Sequence, residues 1–178
     1  NFSQRILKIE NHVRNTPTPR EILRVNNTVD MIKLVRDLPS RPRGRACIVH
    51  THNYEEQKEW ANELARQTSS DHIDLLEFFI KDQTLGKRLG EFQVNNLFNF
   101  LKSQSNASVL IISGIDFLKA TWTGQANTTE QFGSLVENWN QSPCLLFVLQ
   151  YDQVLATREF RRFPQYTFMV DQRETLAL

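Results

Sequence analysis

The stretch GEFQVNNLFNFLKSQSNASVLIISGIDFL, residues 90–118, decides the fold. Its first half places Phe92, Val94, Leu97, Phe98 and Leu101 three to four residues apart, which predicts an amphipathic helix within Leu89–Ser103. Its second half, SVLIIS at Ser108–Ser113, is an unbroken aliphatic run of the kind found in a strand covered on both faces. A helix feeding such a strand is part of a βαβ unit, in which parallel strands are joined by helices packed on the sheet.

The same alternation continues outward in both directions. Toward the C-terminus, Thr129–Trp139 has helical spacing, CLLFVLQ at Cys144–Gln150 reads as a strand, and YTFMV at Tyr166–Val170 reads as the last one. Toward the N-terminus, HIDLLEFF at His72–Phe79 reads as a strand, Tyr54–Gln67 as a helix, and Ala46-Cys47-Ile48-Val49 as the first strand. Five apolar strands separated by helical stretches predict a three-layer α/β/α domain with a mostly parallel five-stranded sheet.

Ahead of the sheet, Ile6, Ile9 and Val13 predict a helix around Phe2–Arg14, ended by Thr16-Pro17-Thr18-Pro19. Met31, Leu34 and Val35 predict a second helix near Val29–Arg36, followed by a loop at Pro39, Pro42 and Gly44. The chain therefore divides into a helical basic N-terminal arm, residues 1–44, and an α/β domain, residues 45–178. Residues 1–45 hold ten basic and four acidic side chains, a net +6, whereas the remainder holds eleven against sixteen, a net −5. Such asymmetry fits either an arm that contacts nucleic acid or one that packs on its own acidic domain.

With 178 residues, 40% of them hydrophobic and 23% charged, the composition excludes a disordered chain and fits a single core. No apolar run approaches the roughly 20 residues of a membrane span, so no membrane association is expected. Two cysteines point to a reducing compartment, and cytoplasmic localisation is expected. The five Asn-x-Ser/Thr triplets, beginning at Asn1, Asn26, Asn106, Asn127 and Asn140, are read as chance in an Asn-rich chain.

The order of elements, and the passage from Gly90 to Leu118 in particular, resembles the core of P-loop NTPases of the RecA-like and AAA+-like kind over residues 45–171. The family's strand order would put Arg45–Val49 centrally, between Cys144–Gln150 and Tyr166–Val170. Ser108–Ser113 would then lie beyond Cys144–Gln150. The family motif G-x-x-x-x-G-K-[ST], laid after Val49, falls on His50, Thr51, His52, Asn53, Tyr54, Glu55, Glu56 and Gln57. His50 and Glu55 replace its glycines, and Glu56 and Gln57 replace its lysine and hydroxyl. Two carboxylates then lie at the positive end of the helix, and Asn53 with Glu56 has capping spacing. The position that resembles the family's Mg²⁺-holding Asp is Ser113, with Gly114 after it and Asp116 beyond, in a loop. Degenerate motifs imply a relative without nucleotide, cofactor or catalytic residues.

Other constellations carry alternatives. His50 and His52 project to one side of an extended segment and could form two ligands of a metal site, or simply a polar loop. Cys47 and Cys144 begin strands that are neighbours in this family, which would bring their thiols near one another. Arg158, Arg161 and Arg162 cluster in TREFRRFPQY, either as a solvated basic end or as a contact to phosphates or an acidic partner. Phe160 and Phe163 between them could stack on bases or pack inward. Trp122, read as lying on an exposed loop, is a candidate partner anchor. With Arg41, Arg43 and Arg45 of the arm, these residues make up the candidate surface for nucleic acid or partner.

The reading that follows is a non-catalytic NTPase-like adaptor or regulatory subunit, binding a protein partner, such as a true ATPase, in a nucleic-acid-processing or defence-type complex. The alternatives are a divergent ATPase completed by another subunit and a metal-dependent hydrolase using His50 and His52.

Overall fold

Asp30 opens helix α1 (Met31–Asp37) by accepting the Lys33 backbone N–H at 3.0 Å. The computed structural model describes residues 28–122 and 127–178, so the helix expected around Phe2–Arg14 lies outside the described residues. A 3₁₀ turn at Leu38–Ser40 follows α1, and Gly44 (φ +60°) then brings the backbone against Phe168, where a Cβ would sit 2.8 Å from the ring. The chain enters β1 (Ala46–Thr51), α2 (Tyr54–Thr68), β2 (Asp71–Asp74), α3 (Leu75–Lys81), α4 (Gln83–Lys87) and α5 (Val94–Leu101). It continues through β3 (Val109–Ser113), α6 (Asp116–Thr121), α7 (Thr128–Asn138), β4 (Cys144–Gln150), α8 (Gln153–Thr157) and β5 (Met169–Asp171).

The five strands form one all-parallel sheet in the order β2-β3-β4-β1-β5. Ile48 of β1 lies opposite Phe147 of β4 and Met169 of β5, and Ile112 of β3 lies opposite the same Phe147. This is the three-layer α/β/α arrangement, with β1 second from one edge and between β4 and β5.

Strict alternation along the strands divides the core in two. Ile48, Leu110, Ile112, Leu145 and Phe147 face one cluster with Leu75, Phe79, Leu97, Phe98, Leu118 and Phe132 from α3, α5, α6 and α7. Cys47, Val49, Ile111, Leu146 and Val148 face the other, with Met31 and Val35 of α1 and Ala61 and Leu64 of α2. Residues on both faces of β1, β3 and β4 are buried, which is why those strands read as continuous apolar runs.

Several expectations change, and the last strand, expected at Tyr166–Val170, is confined to Met169–Asp171. The strand expected at His72–Phe79 ends at Asp74, because the Asp74 carboxylate accepts the Glu77 backbone N–H at 2.9 Å and starts α3. Leu75 and Phe79, four residues apart, then bury on one helical face. Trp122 is not on an exposed loop: it is 5% exposed, packs in the first cluster and donates its indole N–H to the Phe92 carbonyl at 3.1 Å. Cys47 and Cys144 are buried free thiols on adjacent strands, but Cys47 pairs in register with Leu146, two residues along from Cys144. Burial pushes the Cys47 thiol up to about 12, so it behaves as a small apolar side chain. No helix among the described residues is long and apolar enough to cross a membrane.

Candidate functional site

In an open parallel sheet, ligands meet the crevice beyond the carboxyl ends of the strands. Here that edge is built by the turn after β1 and the ends of β2, β3 and β4. Asn53 caps α2, its side chain accepting the Glu55 backbone N–H at 3.1 Å, so one donor of the helix N-terminus has an internal partner. Gln57, one turn into α2 and 2% exposed, turns back under the loop. Its Nε2 donates to Thr51 Oγ1 at 3.1 Å and to Asp116 Oδ2 at 3.2 Å, while its Oε1 accepts the Gly114 N–H at 3.1 Å. One side chain thus ties the ends of β1 and β3 to α2 and α6. Glu55 and Glu56 lie exposed in the first turn, and Lys58 is turned away onto Glu77 of α3.

Ser113 ends β3, fully buried, and brings together two residues not grouped by the sequence reading. Its hydroxyl donates to Asp74 Oδ2 at 3.2 Å, and His72 Nε2 lies 2.8 Å from the Ser113 Oγ. A carboxylate only accepts, so the hydroxyl proton goes to Asp74 and His72 supplies the other proton. That polarity is opposite to a serine activated by a histidine base. Burial lowers the His72 pKa, consistent with a neutral imidazole donor. Asp116 begins α6, where a loop was expected, and its Oδ1 accepts the Gln150 N–H at 3.1 Å.

His50 and His52 do project to one side, and the Tyr151 ring meets both, at centroid distances of 5.3 and 5.4 Å. Their chemistry differs. His52 Nε2 pairs with Asp171 Oδ2 at 2.9 Å. His50 is 2% exposed and its Nε2 has no hydrogen-bond partner among the described residues. Burial, reinforced by Lys119, pulls the His50 pKa down to about 4. Burial would raise the Asp171 carboxyl, but hydrogen bonds from Arg173 and then His52 hold it well below the usual carboxylate range. Lys119 itself is bound to Asp152 at 2.7 Å. Among the described residues, no three His, Cys, Asp or Glu side chains gather in a metal-holding group.

The arginines selected from the sequence separate into two groups. Arg158, 11% exposed, is held by Glu130 at 2.8 Å and by Glu137 at 2.9 Å, inside the fold. Arg161 pairs with Glu159, two residues before it. Phe160 and Phe163 pack inward against Phe168. The rest gather at the opposite, amino-terminal edge of the sheet. Arg41 lies 4.6 Å over the Tyr166 ring and donates to the carbonyls of Gly44 and Thr167. Its burial lowers its pKa. Arg45 donates to Cys144 Sγ at 3.3 Å. Arg43 and Arg162 are exposed and line one cavity of about 350 Å³ with Asn138, Asn140 and Phe163.

Sequence reasoning placed Gln57 and Ser113 at motif positions but missed the contacts they make, and it missed His72 and Asp74 as the partners of Ser113. Their only signal was polarity at strand ends and one helical turn after a strand, positions that solvated residues also occupy. The meeting of Arg43 with Arg162 spans more than a hundred residues and left no local trace. No family model, curated protein or solved structure matches the chain.

Proposed function

We propose that this chain is a P-loop-NTPase-like domain, RecA-like or AAA+-like, that has lost nucleotide chemistry and acts as an adaptor or regulatory subunit. Its partner is a protein, such as an active ATPase, within a cytoplasmic nucleic-acid-processing or defence-type complex. One observation carries the reading: Gln57, at the position of the motif's hydroxyl, fills the crevice with hydrogen bonds to Thr51, Asp116 and Gly114. A phosphate chain would have to displace all three contacts. It would also face Glu55 and Glu56, a repulsion of several kcal/mol for two like charges a few ångströms away at an effective dielectric near 20. Ser113, committed to Asp74 and His72, is no substitute for a metal-binding carboxylate.

A protein partner suits the same edge. Tyr151 is 50% exposed, and its ring is braced by His50 and His52; Val154 beside it is 53% exposed. A rigid tyrosine offers contact area at little entropic cost. The test is calorimetric titration with ATP and GTP at millimolar concentration, with and without Mg²⁺, alongside a hydrolysis assay. No binding heat and no turnover above background are expected, and Glu56→Lys alone creates neither. Micromolar affinity in the unaltered protein would replace this reading with that of a divergent ATPase.

A further inference from the structure

At the amino-terminal edge of the sheet, two cavities adjoin. The first, lined by Arg43, Arg162 and Phe163, shares Asn138 and Asn140 with a second of about 420 Å³ that is bordered by Lys102 at the end of α5. All three cations are exposed, and among the described residues neither cavity has a carboxylate in its lining. Four other exposed arginines, Arg66, Arg88, Arg161 and Arg173, each sit on a glutamate or aspartate. Arg162 is instead fixed by neutral groups: its guanidinium donates to Asn138 Oδ1 and lies 5.5 Å over Phe163. Glu137, which accepts the Arg162 backbone N–H at 2.8 Å, is buried with its other oxygen on Arg158. Lys102 lies 5.9 Å over the Trp139 ring.

Among the described residues, the cations are therefore left without a carboxylate beside them along two cavities that share Asn138 and Asn140, in a protein whose net charge is only +1. Helix α7 ends at Asn138, so its dipole puts partial negative charge here, and the cations alone must supply the attraction for an anion. We propose that this groove binds the backbone of a single-stranded nucleic acid. Arg43, Arg162 and Lys102 neutralise successive phosphates, and the planar Arg162 guanidinium, held over the inward-packed Phe163, offers a flat face to a base. Two adjoining concavities suit one flexible strand and not the rigid cylinder of a duplex. This inference is independent of the reading of the β1–α2 turn, which lies at the other end of the strands.

The experiment is fluorescence anisotropy of a labelled oligothymidylate of about 20 nucleotides against the full chain. Three phosphate contacts predict a salt slope near −2, a loss of roughly tenfold to twentyfold in affinity between about 50 and about 200 mM salt. Arg43→Gln with Arg162→Gln should weaken binding at least about tenfold at low salt. The charge-matched pair Arg66→Gln with Arg173→Gln, at sites outside the groove, should change it less than about twofold. Circular dichroism and thermal melting check that each variant is folded. No binding at low salt, or equal loss in both pairs, would overturn the proposal. So would tighter binding of a duplex of the same length, or equal affinity for a polyglutamate of matched charge.

Discussion

Gln57 and Asp116 meet across the crevice at the carboxyl edge of the sheet, with Gln57 Nε2 donating to Asp116 Oδ2 at 3.2 Å. The other oxygen of Asp116 accepts the Gln150 backbone N–H at 3.1 Å, so the contact links α2, α6 and the end of β4. Gln57 reaches further, to Thr51 at the end of β1 and to Gly114 after β3. Gly114 sits at φ +67°, and a Cβ there would come within 2.7 Å of Asp74, so the backbone passes close between the two polar groups. The Gln57 amide fills the space between the ends of β1 and β3.

Removing that amide should be costly. Gln57→Ala leaves the buried Gly114 N–H without its partner and deprives Thr51 and Asp116 of a donor. The expected destabilisation is about 2–4 kcal/mol, since each buried group left unpaired costs about 1–3 kcal/mol. Urea unfolding measures it. A loss below about 0.5 kcal/mol, the range of ordinary surface substitutions, would show that the network is not structural.

His50 predicts the direction of pH dependence. A free imidazole titrates near pH 6.5, whereas burial holds this one down to about 4, beside Lys119, Asp152, Asp171 and His52. The unfolded chain therefore takes up the proton first. Stability from this group is full above pH 6.5 and falls as the pH drops from 6.5 toward 4. The loss is on the order of 2–3 kcal/mol. His72, also lowered by burial, adds in the same sense. His50→Leu should flatten the decline while keeping stability at neutral pH. An unchanged slope in the variant would remove His50 as its source.

Trp122 belongs to the core and not to a binding surface. Trp122→Ala should lower stability by about 3–5 kcal/mol, as for other large-to-small changes at fully packed aromatic sites. Trp122→Phe keeps most of the packing but leaves the Phe92 carbonyl without its indole donor, and should cost about 1–2 kcal/mol. Thermal or urea denaturation of both variants gives the order. Equal stability of the alanine variant and the parent protein would return Trp122 to the surface.

The sheet was legible from sequence because its signal is local. Ala46–Val49, Val109–Ile112 and Cys144–Leu149 are buried on both faces, and a strand covered on both faces shows its burial as an uninterrupted apolar run. Asp74 shows where such reading fails. The stretch His72–Phe79 is mostly apolar, and eight residues of that kind fit a strand or a short buried helix equally. The Asp74 cap on Glu77 decided in favour of helix α3 from Leu75. Trp122 was misplaced for a related reason. It follows α6 and precedes a glycine-bearing stretch, which reads as a loop, yet the Phe92 carbonyl, thirty residues earlier, receives its indole N–H.

By itself the sequence determined most of the element types and the parallel alternation, since both reside in neighbouring residues and their spacing. The polar pairings were decided only in three dimensions. Arg158, Arg161 and Arg162 look alike in a row of basic residues, but folding places Glu130 and Glu137 around the first, Glu159 beside the second and Arg43 across a cavity from the third. Hydrophobic burial is written into the chain by composition and period. Arg161 finds its partner two residues away, but the pairing of Arg158 with Glu130 and Glu137 joins residues far apart in the chain, which only the packed fold brings within reach.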